Sequence, residues 1–153
     1  MLKIQSILFI FLFLLTSACQ AATPLPNLTT AEGEEFTLAV GQSATVNAST
    51  LTVKLVGVPE DDRCPSEVTC AESGPVSIAV TAQAGNEEPM EITLRTFTDD
   101  QGRTPEMEFE GIQDRIEYKG YLIRVISVLP YPVNLEDKIE AGEYRVTFMV
   151  TKA

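Results

Sequence analysis

Apolar and polar residues alternate along most of this chain, and the places where the alternation stops are as informative as the alternation itself. Phe36, Leu38 and Val40 are separated by more polar neighbours, and Gly41-Gln42 leads into Ala44-Thr45-Val46. Leu51, Val53 and Leu55 alternate with Thr52 and Lys54; Val76, Ile78 and Val80 follow the same rule, as do Met90, Ile92 and Leu94. Arg115–Tyr118 is a shorter run, after which Lys119-Gly120 offers a tight turn into Tyr121, Ile123 and Val125. Tyr144, Val146, Phe148 and Val150 end the series with the clearest alternation. A period of two, carried by β-branched and aromatic residues, belongs to strands with one buried face. Seven or eight such runs of about five residues each, separated by Gly, Pro, Asn and Asp, predict an all-β fold. The expected architecture is a single antiparallel β-sandwich of immunoglobulin-like size over residues 34–153. Within that domain only Asn134 to Glu140 suggests a short turn of helix.

The N-terminal stretch breaks the pattern. Lys3 precedes an apolar run from Ile7 to Leu15, and small residues then lead into Cys19. A charged start, an apolar middle and a small-residue cleavage zone make residues 1–18 a signal peptide. The run is too short for a bilayer-spanning helix, which needs roughly 20 apolar residues. A cysteine at the cleavage point has the layout of a bacterial lipobox, which makes Cys19 the lipidation site and the mature N-terminus. Thr16 stands where that pattern usually has Leu, Val or Ile, so an ordinary secretory cut after Ala21 or Ala22 remains the alternative. Residues 19–33 are rich in Ala, Thr, Pro, Asn and Glu without a sustained period, and read as a flexible tether. Gln20, where an Asp would favour inner-membrane retention, points to the outer membrane of a Gram-negative cell, or to the outer face of the membrane of a Gram-positive one.

Removing residues 1–18 from the 153 leaves 135, enough for one domain and its tether. Lys3 leaves with the signal, so ten basic residues face 22 acidic ones. Such a balance repels nucleic acid and anionic headgroups, and neither is an expected partner. With Cys19 lipidated, Cys64 and Cys70 are the only pair left, and an oxidising compartment favours a disulfide between them. Closing so short a ring stabilises by about 2 kcal/mol in the chain-entropy model, which makes it a local staple. Redox activity is the sharper alternative, though the spacing is C-x5-C rather than C-x-x-C.

The chain has no histidine, which removes Ser-His-Asp and Cys-His catalysis and the usual His-based zinc sites. No phosphate-binding glycine loop, nucleophile elbow or HExxH motif is present. The chain is therefore read as non-catalytic, with no cofactor and no metal site. Asp99-Asp100-Gln101-Gly102 and Asp61-Asp62 are acidic tips with the oxygen ligands that calcium prefers, but the first is also ordinary turn chemistry.

The segment from Pro59 to Gly74 resembles a loop of the form D-x-R-C-P-x-x-V-x-C-x-x-x-G in small exported bacterial proteins of uncharacterised function, many of them predicted lipoproteins. Asp61, Arg63, Cys64, Pro65, Val68, Cys70 and Gly74 carry the likeness. The resemblance implies an exported domain but supplies no reaction or ligand. On physical grounds Pro65 biases Cys64 toward extended geometry, and Arg63 is placed to pair with Asp61 or to fork onto nearby carbonyls. Arg63 is also a candidate binding residue, on a stapled finger that loses little entropy on meeting a partner. Tyr131 is the second candidate, because Pro130 and Pro132 end strand pairing around it; it can anchor a partner or plug the end of the sandwich. The functional expectation is a cell-envelope lipoprotein, non-catalytic, that binds an envelope protein or assists assembly at the membrane surface. The alternatives are an enzyme inhibitor that inserts the Cys64–Cys70 loop, and a small-ligand or calcium-binding module.

Overall fold

A computed structural model describes residues 25–46, 50–136 and 138–153. The segment read as a signal peptide, Cys19 and residues 20–24 of the expected tether lie outside these residues. Nine strands form two sheets: β1 (Leu28–Thr30), β2 (Glu35–Ala39), β3 (Ser43–Val46), β4 (Leu51–Asp61), β5 (Val76–Ala84), β6 (Met90–Thr96), β7 (Arg115–Tyr118), β8 (Tyr121–Leu129) and β9 (Arg145–Lys152). One sheet runs β1-β3-β4-β5-β6 and the other β2-β9-β8-β7, giving the all-β sandwich that the alternation predicts. The inward residues are those of the period-two pattern. Leu38, Leu51, Leu55, Ile78, Leu94 and Phe148 are the largest among the fully buried side chains, and Phe36 stacks obliquely on Phe148 with ring centroids 6.0 Å apart. The β7–β8 hairpin closes on Lys119-Gly120, both with positive φ (52° and 79°), the backbone that a two-residue turn needs between twisted strands. No helix among the described residues is long and apolar enough to cross a membrane.

Three features depart from the sequence expectation. Leu28–Thr30, inside the stretch assigned to the tether, forms an edge strand that pairs parallel to β3, with Leu28 beside Ala44. The ordered domain thus takes in residues before 34, and the sheets are antiparallel everywhere but at this edge. Three residues are too few to register as a period, yet Thr30 is buried and Leu28 packs on the core. β4 extends past its apolar half to Asp61, crossing two register shifts against β5 at Gly57 and Glu60; backbone pairing, not side-chain pattern, carries it there. Asn134–Glu140 is not helical, and a 3₁₀ turn follows instead at Ala141–Glu143, where Glu140 and Glu143 bond reciprocally in a capping box.

The long connection from Phe97 to Asp114 is absent from the strand pattern but covers a sheet edge. Val128 donates to the Gly102 carbonyl (2.8 Å) and Thr104 to that of Ile126 (2.9 Å), extending the sheet beyond the reach of β7. Gly102 sits at φ +77°, and a Cβ there would lie 2.5 Å from the Val128 oxygen. Buried Asp114 fixes the far end of the connection, accepting from Arg115 (2.8 and 3.1 Å) and Arg124 (3.3 Å).

Replacing Phe148 with Ala removes the largest fully buried side chain and leaves a cavity between the sheets. The expected cost is about 3–5 kcal/mol, read as a lowered midpoint in urea unfolding. A loss under about 1 kcal/mol would place the core elsewhere.

Candidate functional site

The stapled loop lies at the end of the sandwich where β4 ends, β5 begins, β8 ends and β9 begins. β4 delivers Asp61, and two residues later Arg63 turns inward; its side chain has no exposure to solvent. The Asp61 carboxylate accepts from Arg63 Nε (2.7 Å) and Nη2 (2.6 Å), a two-point fork. Nη1 donates to the Val128 carbonyl at 2.8 Å and Nη2 also to that of Pro130 at 2.9 Å. One guanidinium therefore joins the start of the loop to the end of β8, in the other sheet.

Two tyrosines complete the arrangement. The Tyr144 hydroxyl donates to Asp61 Oδ2 at 3.0 Å, bringing in the segment just before β9. Burial pushes the Tyr144 phenol up to about 12; the Asp61 charge and hydrogen bond act in the same direction, and Arg63 opposes them. Tyr131 packs its ring against the guanidinium, 5.0 Å from centroid to Cζ, and donates its hydroxyl to the Cys64 carbonyl at 2.8 Å. Backbone pairing reinforces the join: Ser66 donates to Pro132 O (3.0 Å) and Glu67 to Val133 O (2.9 Å).

The loop is closed at its own base as well. Cys64 and Cys70 form the expected disulfide, with Cα atoms 6.0 Å apart. Val68 donates back to Pro65, and the Cys64 amide donates to Ser73 Oγ at 3.0 Å. Gly74 is the residue that the geometry demands, since a Cβ there would stand 2.5 Å from Asp62 Cβ and 2.6 Å from its carbonyl oxygen.

Arg63 and Tyr131, the two residues offered as partner contacts, are thus turned inward. The Arg63 side chain is buried and bonded to Asp61, Val128 and Pro130, so it acts as the clip that the Asp61 pairing predicts, at the base of the groove that it helps to line. Tyr131 is half-buried and neither stands on display nor enters the core; it packs on the underside of the loop. The acidic tips also have internal uses. Asp99 Oδ1 accepts from the amides of Gln101 (3.0 Å) and Arg103 (2.8 Å), which is turn chemistry. Among the described residues no three His, Cys, Asp or Glu side chains gather to hold a metal ion.

What the clip leaves open is a groove of about 580 Å³ between the stapled loop and the segment running from Pro132 to Tyr144. Val58, Pro59 and Pro65 form one side, with Pro132, Leu135 and Ile139 on the other. Leu135 is 74% exposed and Val133, next to this wall, 45%. Asp62, Glu72 and Lys138 supply charge along the groove. Sequence reasoning missed Leu135, Ile139 and Lys138; their one signal is an apolar pair in a polar stretch that otherwise reads as a weak helix. The residues that enter β1 approach from this same side. β1 runs parallel to β3, whose start at Ser43 lies beside Lys54, and β4 then continues from Lys54 to Asp61. Gln42 Nε2 holds the Pro26 carbonyl at 3.1 Å, so residues 25–27 point toward the groove end.

Tyr144 makes the buried cluster visible in solution. Because the folded-state value lies above the ordinary 10.0, the stability linked to this phenol is intact below about pH 10 and is lost as pH rises toward about 12. An ultraviolet titration of the four tyrosines should show one late-ionising component near the second value, absent in Tyr144→Phe. Absence of that late component would mean that the Tyr144–Asp61 contact does not form.

Comparison of the chain with protein-family models, with curated proteins and with solved structures finds no match in any of the three.

Proposed function

We propose that this chain is an exported, non-catalytic lipoprotein, anchored through Cys19, that binds an envelope protein in the groove beside the stapled loop. The observation that carries the reading is the groove itself. The loop wall is braced by a disulfide and a fully buried arginine fork, and the facing segment is tied to it at Pro132 and Val133, while exposed apolar side chains line the opening. A braced loop beside exposed apolar residues suits recognition, because the loop pays little ordering cost when a partner enters.

The direction in which the chain enters supports action at the membrane surface. From Cys19 to Leu25 there are six residue steps, which reach at most about 20 Å when fully extended. Residues 25–27 already point toward the groove end, so a lipid on Cys19 holds that end within reach of the bilayer. A Gram-negative source would put the protein at the outer membrane, and a Gram-positive one at the outer face of the cell membrane.

The test is crosslinking in intact cells with a photoreactive residue at Leu135, and separately at Glu88 in the β5–β6 turn at the opposite end. Mass spectrometry of the N-terminal peptide accompanies it. The expected result is an acylated Cys19, with one reproducible partner captured from position 135 and not from 88. Capture should fall at least about tenfold when Cys64 and Cys70 are both changed to Ser, although the ring contributes only about 2 kcal/mol to the fold. Equal capture from both positions, or none from 135, would overturn the binding role. An N-terminus after Ala21 or Ala22 would overturn the anchor.

A further inference from the structure

The groove is apolar at its walls and acidic along the margin formed by the stapled loop, and that combination selects a partner. Between Pro59 and Pro75 the chain carries five carboxylates (Glu60, Asp61, Asp62, Glu67 and Glu72) against Arg63 alone. Arg63 is spent on Asp61, so the outer surface of the loop presents uncompensated negative charge at Asp62, Glu67 and Glu72, all exposed. On the facing segment Lys138 lines the groove, while Glu136, Glu140, Glu143 and Arg145 are exposed on the same stretch without lining it. Arg145 is itself turned back onto the carbonyls of Gly142 and Tyr144, each at 2.8 Å, which leaves Lys138 as the cation on this rim. Between the acidic loop margin and Lys138 lie Pro59, Pro132, Leu135 and Ile139.

We propose that the groove takes an extended polypeptide segment in which apolar side chains alternate with lysine or arginine, presented by a protein at the same membrane surface. The inference rests on the groove's being the binding face, and adds the chemistry of what enters it. Apolar side chains of the segment cover Leu135 and Ile139, and its cations face Asp62 and Glu72 on the loop margin. Complementary potentials of this kind speed encounter and reject wrong partners. Acidic segments are turned away by Glu72 and Asp62, and a bilayer rich in anionic lipid is repelled by the same margin. A basic segment without apolar residues leaves the groove walls uncovered and gains only exposed, salt-screened pairs.

The experiment uses the full-length chain in detergent and three labelled synthetic peptides of equal length: alternating Leu and Lys, alternating Leu and Glu, and alternating Ser and Lys. Fluorescence anisotropy reads binding. The Leu–Lys peptide should bind at least about tenfold more tightly than either of the others. That affinity should drop at least about tenfold in Leu135→Asp and in Glu72→Lys, and stay unchanged in Glu88→Lys at the far end. Circular dichroism and thermal unfolding confirm that each variant is folded. Equal binding of the Ser–Lys peptide, or equal loss in Glu88→Lys, would reduce the effect to the protein's overall acidity and overturn the proposal. So would no binding of the Leu–Lys peptide. If position 135 crosslinks a partner in cells while the Leu–Lys peptide fails, the partner chemistry is wrong and the groove reading stands. If both fail, the groove reading falls with it.

Discussion

The pairing of Arg63 with Asp61 is the constraint on which the groove end of this molecule depends. A β-sandwich holds its sheets together through inward side chains, but its end loops have no such core and must be fastened individually. Here the fastening is a fully buried guanidinium that reaches from a loop of one sheet to carbonyls at the end of β8 in the other. Burying a charge costs several kcal/mol unless it is paired and its remaining donors are satisfied. Asp61 supplies the countercharge and the Val128 and Pro130 carbonyls take further hydrogens, while Tyr131 covers the guanidinium with its ring. The arrangement is worth less as net stability than as specificity, because every partner must be in place for the charge to be tolerated.

The other features of this end follow from that join. Once Arg63 is drawn inward, Cys64 and Pro65 are set on the inner side of the loop, where the Tyr131 hydroxyl reaches the Cys64 carbonyl. The disulfide shortens the excursion, and Ser66 and Glu67 pair with the backbone of Pro132 and Val133. Pro130 and Pro132 lack donors, so this segment accepts hydrogen bonds from the loop instead of continuing the sheet. It leaves β8 and rises beside the loop, and the space between the two is the groove. A second fork, Asp114 with Arg115 and Arg124, does comparable work for the long connection that covers the β8 edge. In both places a carboxylate–arginine pair holds irregular backbone that no apolar pattern could position.

How much of this could be read from the sequence divides along the same line. Val146, Phe148 and Val150, or Ile78 and Val80, declare their strands, because a half-buried sheet face imposes a period of two on any sequence that forms it. Lys119-Gly120 declares its turn, since few dipeptides tolerate two residues at positive φ. The Arg63–Asp61 contact was accessible as well, lying two residues apart in a short, stapled loop. By contrast, the bonds from Arg63 to Val128 and Pro130 span more than sixty residues, and no local pattern encodes them. The same holds for Tyr144, whose place in the alternating run makes it look like any core aromatic, while its hydroxyl serves Asp61. Leu135 and Ile139 become a wall only because a distant loop faces them. Leu28–Thr30 was overlooked for a different reason, since a three-residue edge strand is set by pairing and carries almost no period.

The most direct test of the clip is residue-resolved hydrogen exchange on the native protein and on Arg63→Met, which keeps the apolar stem and removes the fork. If the guanidinium holds the loop to β8, the Ser66 and Glu67 amides should lose protection by about a hundredfold, since a broken buried pair costs a few kcal/mol locally. The amides of β5 and β9 should keep most of theirs. Unchanged protection at Ser66 and Glu67 would contradict the account, because the disulfide and backbone pairing would then build the groove without the ion pair. Uniform loss across β5 and β9 would contradict it differently, by making Arg63 a support of the whole sandwich rather than of its groove end.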